Sequence, residues 1–300
     1  MTEATSSQSP VESWTVQKVL DWTIGHLKSH GCESPRLDAE ILLAHARGCQ
    51  RIRLYTEYDA PLTLEERAKM RELVQRRATL EPVAYLVGFR EFFGLDFEVQ
   101  PGVFIPRPDT ETLVITALDI ASEIETPRIL DVCTGSACIP VSIAANCQAS
   151  RLTAVELDPQ VFEVASRNIQ RHEMESRIEL LQGDLLAPLS ADAKFDVITS
   201  NPPYITDSEM ESLPPDVRNH EPHLALQAGP DGLDVVRRLI PDANQFLVDG
   251  GALLLEIAAE QAEAVVALFE VAGTYEPAQI AHDLGGRSRV VWSRKANVKE

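Results

Sequence analysis

From about residue 127 onward, short apolar runs alternate with amphipathic ones, and this alternation decides the fold class. "RILDV", "RLTAVEL", "RIELLQ", "FDVITS" and "GALLLEI" have strand length and are rich in Val, Ile and Leu. Among them lie "ACIPVSIAANC", "PQVFEVASRNIQRH", "GLDVVRRLIPDANQFL" and "EQAEAVVALFEVA", whose apolar residues recur at helical spacing. Pro140 falls in the first turns of its helix, where a missing N–H is tolerated. Two further strands are expected in "PAQIAHDL" and "SRVVWSR". Short apolar strands joined by helices imply an α/β fold with a parallel sheet covered on both faces. Ligands of such sheets sit at the carboxyl ends of the strands, so the residues just after each strand matter most.

The first 85 residues read differently. "TVQKVLDWTIGHL" places Val16, Val19, Leu20, Ile24 and Leu27 on one stripe. "SPRLDAEILLAHARG" has Ser34 as N-cap, Pro35 in the first turn and Gly48 at the stop. Thr63 and Glu66 have the spacing of a capping box. Glu40, Arg76 and Arg77 read as charges on solvated helix faces. Residues 13–85 are therefore expected to form a small all-α bundle. Residues 1–12, within "MTEATSSQSPVES", lack the basic start and apolar core of a secretory signal and are expected to be a disordered lead. Alternation of Gly, Phe and Val predicts a hairpin linker over 86–106. Pro106 and Pro108 then lead into a helix burying Leu113, Val114 and Ala117, at the start of an α/β domain over 107–300.

Composition removes several function classes. The chain has 46 acidic and 27 basic residues and a formal charge of −19, a field that repels phosphate backbones and disfavours a nucleic-acid substrate. No apolar run reaches the roughly 18–20 residues of a membrane span. Cysteines 32, 49, 133, 138 and 147 form no Cys-x-x-Cys pair, which points to reduced thiols in a cytoplasmic protein. His220 and His223 flank Pro222 with no third ligand nearby, so no metal site is expected.

Four strand ends carry chemistry. The first is followed by "CTGSAC", a small-residue turn before a helix that suits a nucleoside-type cofactor. Glu156 ends the second, about 25 residues beyond Asp131, where a carboxylate can accept from ribose hydroxyls. The first turn lacks a three-glycine pattern and a following Lys, which favours a nucleoside without phosphate. In "QGDLL", Asp184 can accept from an adenine amino group and Leu185 can cover its ring. "NPPY", Asn201 to Tyr204, follows the fourth strand. Together these four ends fit a nucleoside sulfonium cofactor.

With those residues in place, the chain resembles the release-factor glutamine methyltransferases, which use S-adenosylmethionine. "RLDAEILLAHARG", "EPVAYLVGFREFFGLDFEVQPGVFIPRPDTETLV", "FDVITSNPPYI", "EPHLALQAGPDGLDVVRR" and "DLGGRSRVV" carry the resemblance across nearly the whole chain. It implies a five-helix N-terminal domain that recognises a release factor, and a seven-stranded Rossmann-like methyltransferase sheet whose last strand is antiparallel. It also implies a substrate: the glutamine of the Gly-Gly-Gln loop of peptide chain release factors. By position, Cys133, Thr134, Gly135, Ser136 and Ala137 would face the methionine part of the cofactor. Glu156 would take the ribose, and Asp184 with Leu185 the adenine. Asn201, Pro202, Pro203 and Tyr204 would hold the glutamine, with Asn201 also beside the cofactor and Arg107 to Glu111 nearby.

An amide nitrogen is a poor nucleophile, and no strong base is at hand. Holding both of its hydrogens on fixed acceptors, the Asn201 side-chain oxygen and the Pro202 carbonyl, orients it without acid–base chemistry. Proline keeps that turn rigid and offers no competing N–H. Two departures from the family pattern stand out. Gly-Thr-Gly-Ser-Gly is replaced by Cys133-Thr134-Gly135-Ser136-Ala137, and Glu-Ile-Gly by Glu256-Ile257-Ala258. Weakened cofactor binding is the expected result. Three other readings stay open: a glutamine methyltransferase for a ribosomal protein, an amino methyltransferase for nucleic acid, and a non-catalytic module that binds release factors.

Overall fold

Thr15 starts the first helix by accepting a hydrogen bond from the Lys18 amide at 3.3 Å, which satisfies one of the amides that a helix start leaves free. The structure is a computed structural model that describes residues 14–297, so the expected lead lies outside the described residues. Helix α1 (Val16–Ser29) buries Val16, Val19, Leu20 and Leu27, with Ile24 half-buried. Helix α2 (Pro35–Arg47) stops at Gly48, whose φ of 63° glycine adopts without a Cβ clash. Ser34 occupies the N-cap position of α2, but its side chain makes no capping bond. A short α3 (Arg53–Thr56) leads to α4 (Leu64–Arg77). At the start of α4 Thr63 and Glu66 make both bonds of the capping box, at 3.1 and 2.7 Å. Helix α5 (Val83–Val87) completes five helices among the described residues of this unit. Leu42, Leu43, Leu54 and Leu73 form its core.

Two charges read as solvated are instead buried. Glu40 and Arg77 are each only 6% exposed. Arg77 Nε donates to Asp38 Oδ2 at 2.8 Å, and Nη1 to the Glu81 carbonyl at 3.1 Å. Glu40 accepts from Tyr55 Oη at 2.7 Å and from Arg36 Nε at 3.1 Å. Periodicity along one helix does not reveal a partner on another, which is why these positions read as surface. Arg76 does lie on an exposed edge, bonded to Glu81 at 2.9 Å.

The chain divides into two compact units between Val87 and Gly88, so the hairpin β1 (Phe89–Phe92) and β2 (Leu95–Glu98) belongs to the second unit. Pro108 to Thr110 form a single 3-10 turn before α6 (Glu111–Ala121), which buries Leu113, Val114 and Ala117. The alternation then runs β3 (Arg128–Val132), α7 (Cys138–Asn146), β4 (Arg151–Glu156), α8 (Pro159–Arg171), β5 (Ile178–Gln182) and β6 (Phe195–Ser200). It continues with α9 (Pro215–His220), α10 (Asp234–Ala243), β7 (Leu247–Glu256), α11 (Ala262–Ala272), β8 (Gln279–His282) and β9 (Ser288–Arg294). Helix α9 was not foreseen; its Pro-rich segment has no apolar period.

The seven strands lie in the order β5-β4-β3-β6-β7-β9-β8. The first five are parallel, and β9 runs antiparallel to both of its neighbours. Strand alternation sends Ile129 and Leu130 to opposite cores. Ile129 packs with Leu113, Ile139 and Ile169 from α6, α7 and α8, and Leu130 with Leu239, Val265 and Phe269 from α10 and α11. From β3 the chain goes first to β4 and β5, then crosses back to β6 on the other side. That reversal opens a crevice at the carboxyl ends of β3 and β6.

Replacing Arg77 with Met removes the guanidinium facing the buried Asp38 carboxylate. Urea unfolding of the full chain should show the helical unit destabilised by about 3 kcal/mol.

Candidate active site

Asp131, fully buried near the end of β3, organises the crevice. Its Oδ2 accepts from Thr134 Oγ1 at 2.6 Å, and its Oδ1 from Thr199 Oγ1 on β6 at 2.8 Å. Burial pushes its carboxyl up to about 7; the two hydroxyls oppose that rise, and the nearby Glu156 charge adds to it.

The loop above it has positive φ at alternate residues: 60° at Cys133, 59° at Gly135 and 62° at Ala137. Only Gly135 takes that conformation freely. The side chains at 133 and 137 each cost about 1–2 kcal/mol. So both lost glycines of this loop fall where glycine is favoured, whereas Ala258, the other departure, has an ordinary φ of −67° and carries no such strain. Thr134 N donates to Val155 O at 3.0 Å and Gly135 N to Glu156 Oε2 at 2.8 Å, while the Ser136 carbonyl accepts from Asn168 Nδ2 at 2.9 Å. These bonds hold the loop in that strained conformation. Burial drives the Cys133 thiol up to about 12, which leaves it un-ionised at neutral pH and a poor nucleophile.

Glu156 closes the end of β4. Besides Gly135 N, it accepts from Leu157 N at 2.9 Å and Asp158 N at 3.0 Å. Burial raises its pKa, and these three amides oppose the rise. A carboxylate has about four acceptor positions, so one remains free on Oε2. Asp184, after β5, is exposed and bonds Arg238 Nη2 at 2.5 Å. Leu185 is buried at a φ of 50°.

After β6, Asn201 Nδ2 donates to Thr110 Oγ1 at 3.2 Å, which leaves Oδ1 as its acceptor. Burial and the charge of Glu256 together push the Tyr204 phenol up. The Tyr204 carbonyl accepts from Gln261 Nε2 at 2.9 Å. A Cβ at Gly232 would lie 2.2 Å from that carbonyl, so only glycine fits beside the turn.

A cavity of about 400 Å³ joins these parts. Cys133, Thr134, Gly135, Ser136, Glu156, Asp184, Leu185, Asn201, Pro203 and Tyr204 all line it. Ala137 and Pro202 are buried behind the lining. Arg107 lines the rim, its guanidinium 5.0 Å above the Phe104 ring and bonded to the buried Glu221. Asp109 pairs with Arg289 at 2.7 Å, and Glu111 accepts from Phe93 N at 3.3 Å. Sequence reasoning placed Thr110 only within the segment Arg107 to Glu111 and gave no site role to Gln261 or Glu256. The strand-end rule reaches Glu256, the last residue of β7, as directly as it reaches Glu156.

The cavity volume is in the range of small-molecule sites, about 300–1,000 Å³. Its lining arginines, Arg107 and Arg238, are already engaged by Glu221 and Asp184. No described lining cation is left over for a phosphate, which fits a phosphate-free nucleoside.

Residues 18–88 match the PrmC N-terminal domain, and residues 94–213 the methyltransferase small domain. A methyltransferase from Pyrococcus furiosus shares the fold, with a TM-score of 0.50 at 20% identity over 74% of this chain and 99% of its own. Fold and family models together define an S-adenosylmethionine-dependent methyltransferase. A Rhodopirellula baltica release factor glutamine methyltransferase is 45% identical over 97% of this chain and 99% of its own length. One from Geobacter sulfurreducens is 44% identical over 94% and 98%. The chain belongs to the release factor glutamine methyltransferase family and is an S-adenosylmethionine-dependent protein-glutamine methyltransferase.

Asp131 has a folded pKa above its unfolded value of 3.8, so its contribution to stability is full below about 4 and is lost as pH rises through about 7. Melting temperature should therefore fall between about pH 4 and 7, and Asp131→Asn should flatten part of that fall.

Proposed function

We propose that this enzyme methylates the side-chain amide nitrogen of the glutamine in the Gly-Gly-Gln loop of peptide chain release factors. The names of its relatives support the substrate class. The observation that carries the reading is the bond from Asn201 Nδ2 to Thr110 Oγ1, which leaves Oδ1 as an acceptor for a substrate N–H.

S-adenosylmethionine, when bound, supplies an activated methyl group. Cys133 to Ala137 would hold its methionine end, the free position on Glu156 its ribose, and Leu185 with the remaining Asp184 oxygen its adenine. Asn201 Oδ1 and the Pro202 carbonyl accept the two hydrogens of the substrate amide, and the Tyr204 ring packs against its plane. Gln261 holds the turn from behind through the Tyr204 carbonyl. The contribution is orientation by fixed dipoles, with no proton removed beforehand. The helical unit docks the release factor, and Trp22, Ile52, Tyr55 and Leu64 give it exposed apolar surface.

Mass spectrometry of a release factor incubated with the enzyme and the methyl donor should show one added methyl, on the Gly-Gly-Gln glutamine. A methyl elsewhere, or none, rejects the substrate. Asn201→Ala should lower turnover by about 100- to 1,000-fold with cofactor affinity by calorimetry unchanged. Cys133→Gly relieves the strain at that residue and should tighten cofactor binding by up to about tenfold. A looser complex would refute the assignment of that loop.

A further inference from the structure

Glu256 is an acid without an evident reason to be where it is. It ends β7, is only 2% exposed, and its Oε2 has no hydrogen-bond partner among the described residues. Thr110 and Asn201 approach its carboxyl closely enough to favour the ionised form. The other charged or titratable groups facing it are Asp109 before α6, Tyr204 after β6, Arg289 on β9 and Cys138 on α7. Arg289 offsets its charge only in part, being bonded to Asp109 at 2.7 Å and to Asp283 at 3.0 Å.

We propose that Glu256 is a positioning residue that, together with Thr110, selects the orientation of the Asn201 side-chain amide. This rests on the reading of Asn201 as the residue that holds the substrate amide. An asparagine amide has nearly the same shape after its nitrogen and oxygen exchange places. In one orientation Oδ1 meets the substrate N–H groups; in the other, NH₂ meets NH₂ and the substrate is repelled. Position alone does not decide between them, so something behind the amide must.

Thr110 takes the Asn201 Nδ2 hydrogen on its Oγ1, at 3.2 Å. Its own hydroxyl hydrogen is then free to point at Glu256. An ionised carboxylate only accepts. It therefore fixes the direction of the whole chain, from Asn201 N–H to Thr110 O–H to Glu256, and leaves Oδ1 for the substrate. A protonated Glu256 carries an O–H that can donate, and the preference is lost. Burial holds the Glu256 carboxyl up to about 7, with Asp109 adding to the rise and Thr110, Arg289 and Asn201 opposing it. The active orientation is therefore favoured above that pH and lost below it.

The test is turnover at saturating cofactor and full-length release factor, measured against pH for the wild type, Glu256→Gln, Thr110→Val, Asn201→Ala and the double variant at 201 and 256. Cofactor affinity is followed by calorimetry. Glutamine at 256 can donate to Oδ1, so Glu256→Gln should lower kcat by about 10- to 100-fold with cofactor affinity unchanged. The wild-type kcat should fall on the acid side through an apparent pKa near 7, and this fall should be absent in Glu256→Gln. The double variant should be no slower than Asn201→Ala, because Glu256 acts through Asn201. A slow Asn201→Ala beside a wild-type-like Glu256→Gln, or losses that multiply in the double variant, would overturn this inference alone. A fully active Asn201→Ala would overturn the reading of Asn201 and this inference with it. Should Glu256→Gln not fold, Thr110→Val and the wild-type pH profile decide: a matching loss and an acid-side fall support the inference, and their absence rejects it.

Discussion

One buried carboxyl sets the geometry of the whole crevice. Asp131 holds Thr134 in the loop after β3 and Thr199 on the strand that leads to Asn201. The two loops expected to meet cofactor and substrate are thus spaced by bonds inside the sheet, where water does not compete. A hydrophobic residue at 131 would pack as well, but it would leave both hydroxyls without that acceptor. The fold accepts a costly buried acid because it serves both sides of the switch point at once.

Around this centre, strain and its restraint lie side by side. The residues at 133, 137 and 185 adopt left-handed backbone without being glycine. Each is next to a group whose hydrogen bonds leave little freedom: Thr134 on Asp131, Asn168 on Ser136, and Asp184 on Arg238. The rim is charged yet internally matched, since Arg107 and Arg238 each have an acidic partner. With those arginines paired, nothing described at this crevice offsets the repulsion of phosphate by the net charge of −19.

Much of this was legible in the sequence because strands and helices bury different periods. The apolar runs located the seven strands of the sheet, while the strand-end rule pointed to Glu156, Asp184 and Asn201. What stayed hidden depends on contacts between distant residues. Thr110 and Asn201 are 91 positions apart. Arg77 and Asp38 meet across two helices, 39 positions apart, so neither declares itself buried. Backbone φ is also invisible in the letters. Cys133 and Ala137 stood out as departures from a pattern, and only the structure places them in the left-handed region. Glu256 was visible as the end of a strand, but its meaning depends on which side chains stand in front of it.

Asn168 spends its whole amide on two neighbours. Its oxygen takes Glu98 N at 2.7 Å, and its nitrogen gives to Glu98 O at 3.0 Å and to Ser136 O at 2.9 Å. The hairpin and the glycine-poor loop thus share a single buried clamp. Whatever tilts the hairpin must strain or release the loop, and whatever stiffens the loop must stiffen the hairpin. Thermodynamic reciprocity makes that linkage run equally in both directions.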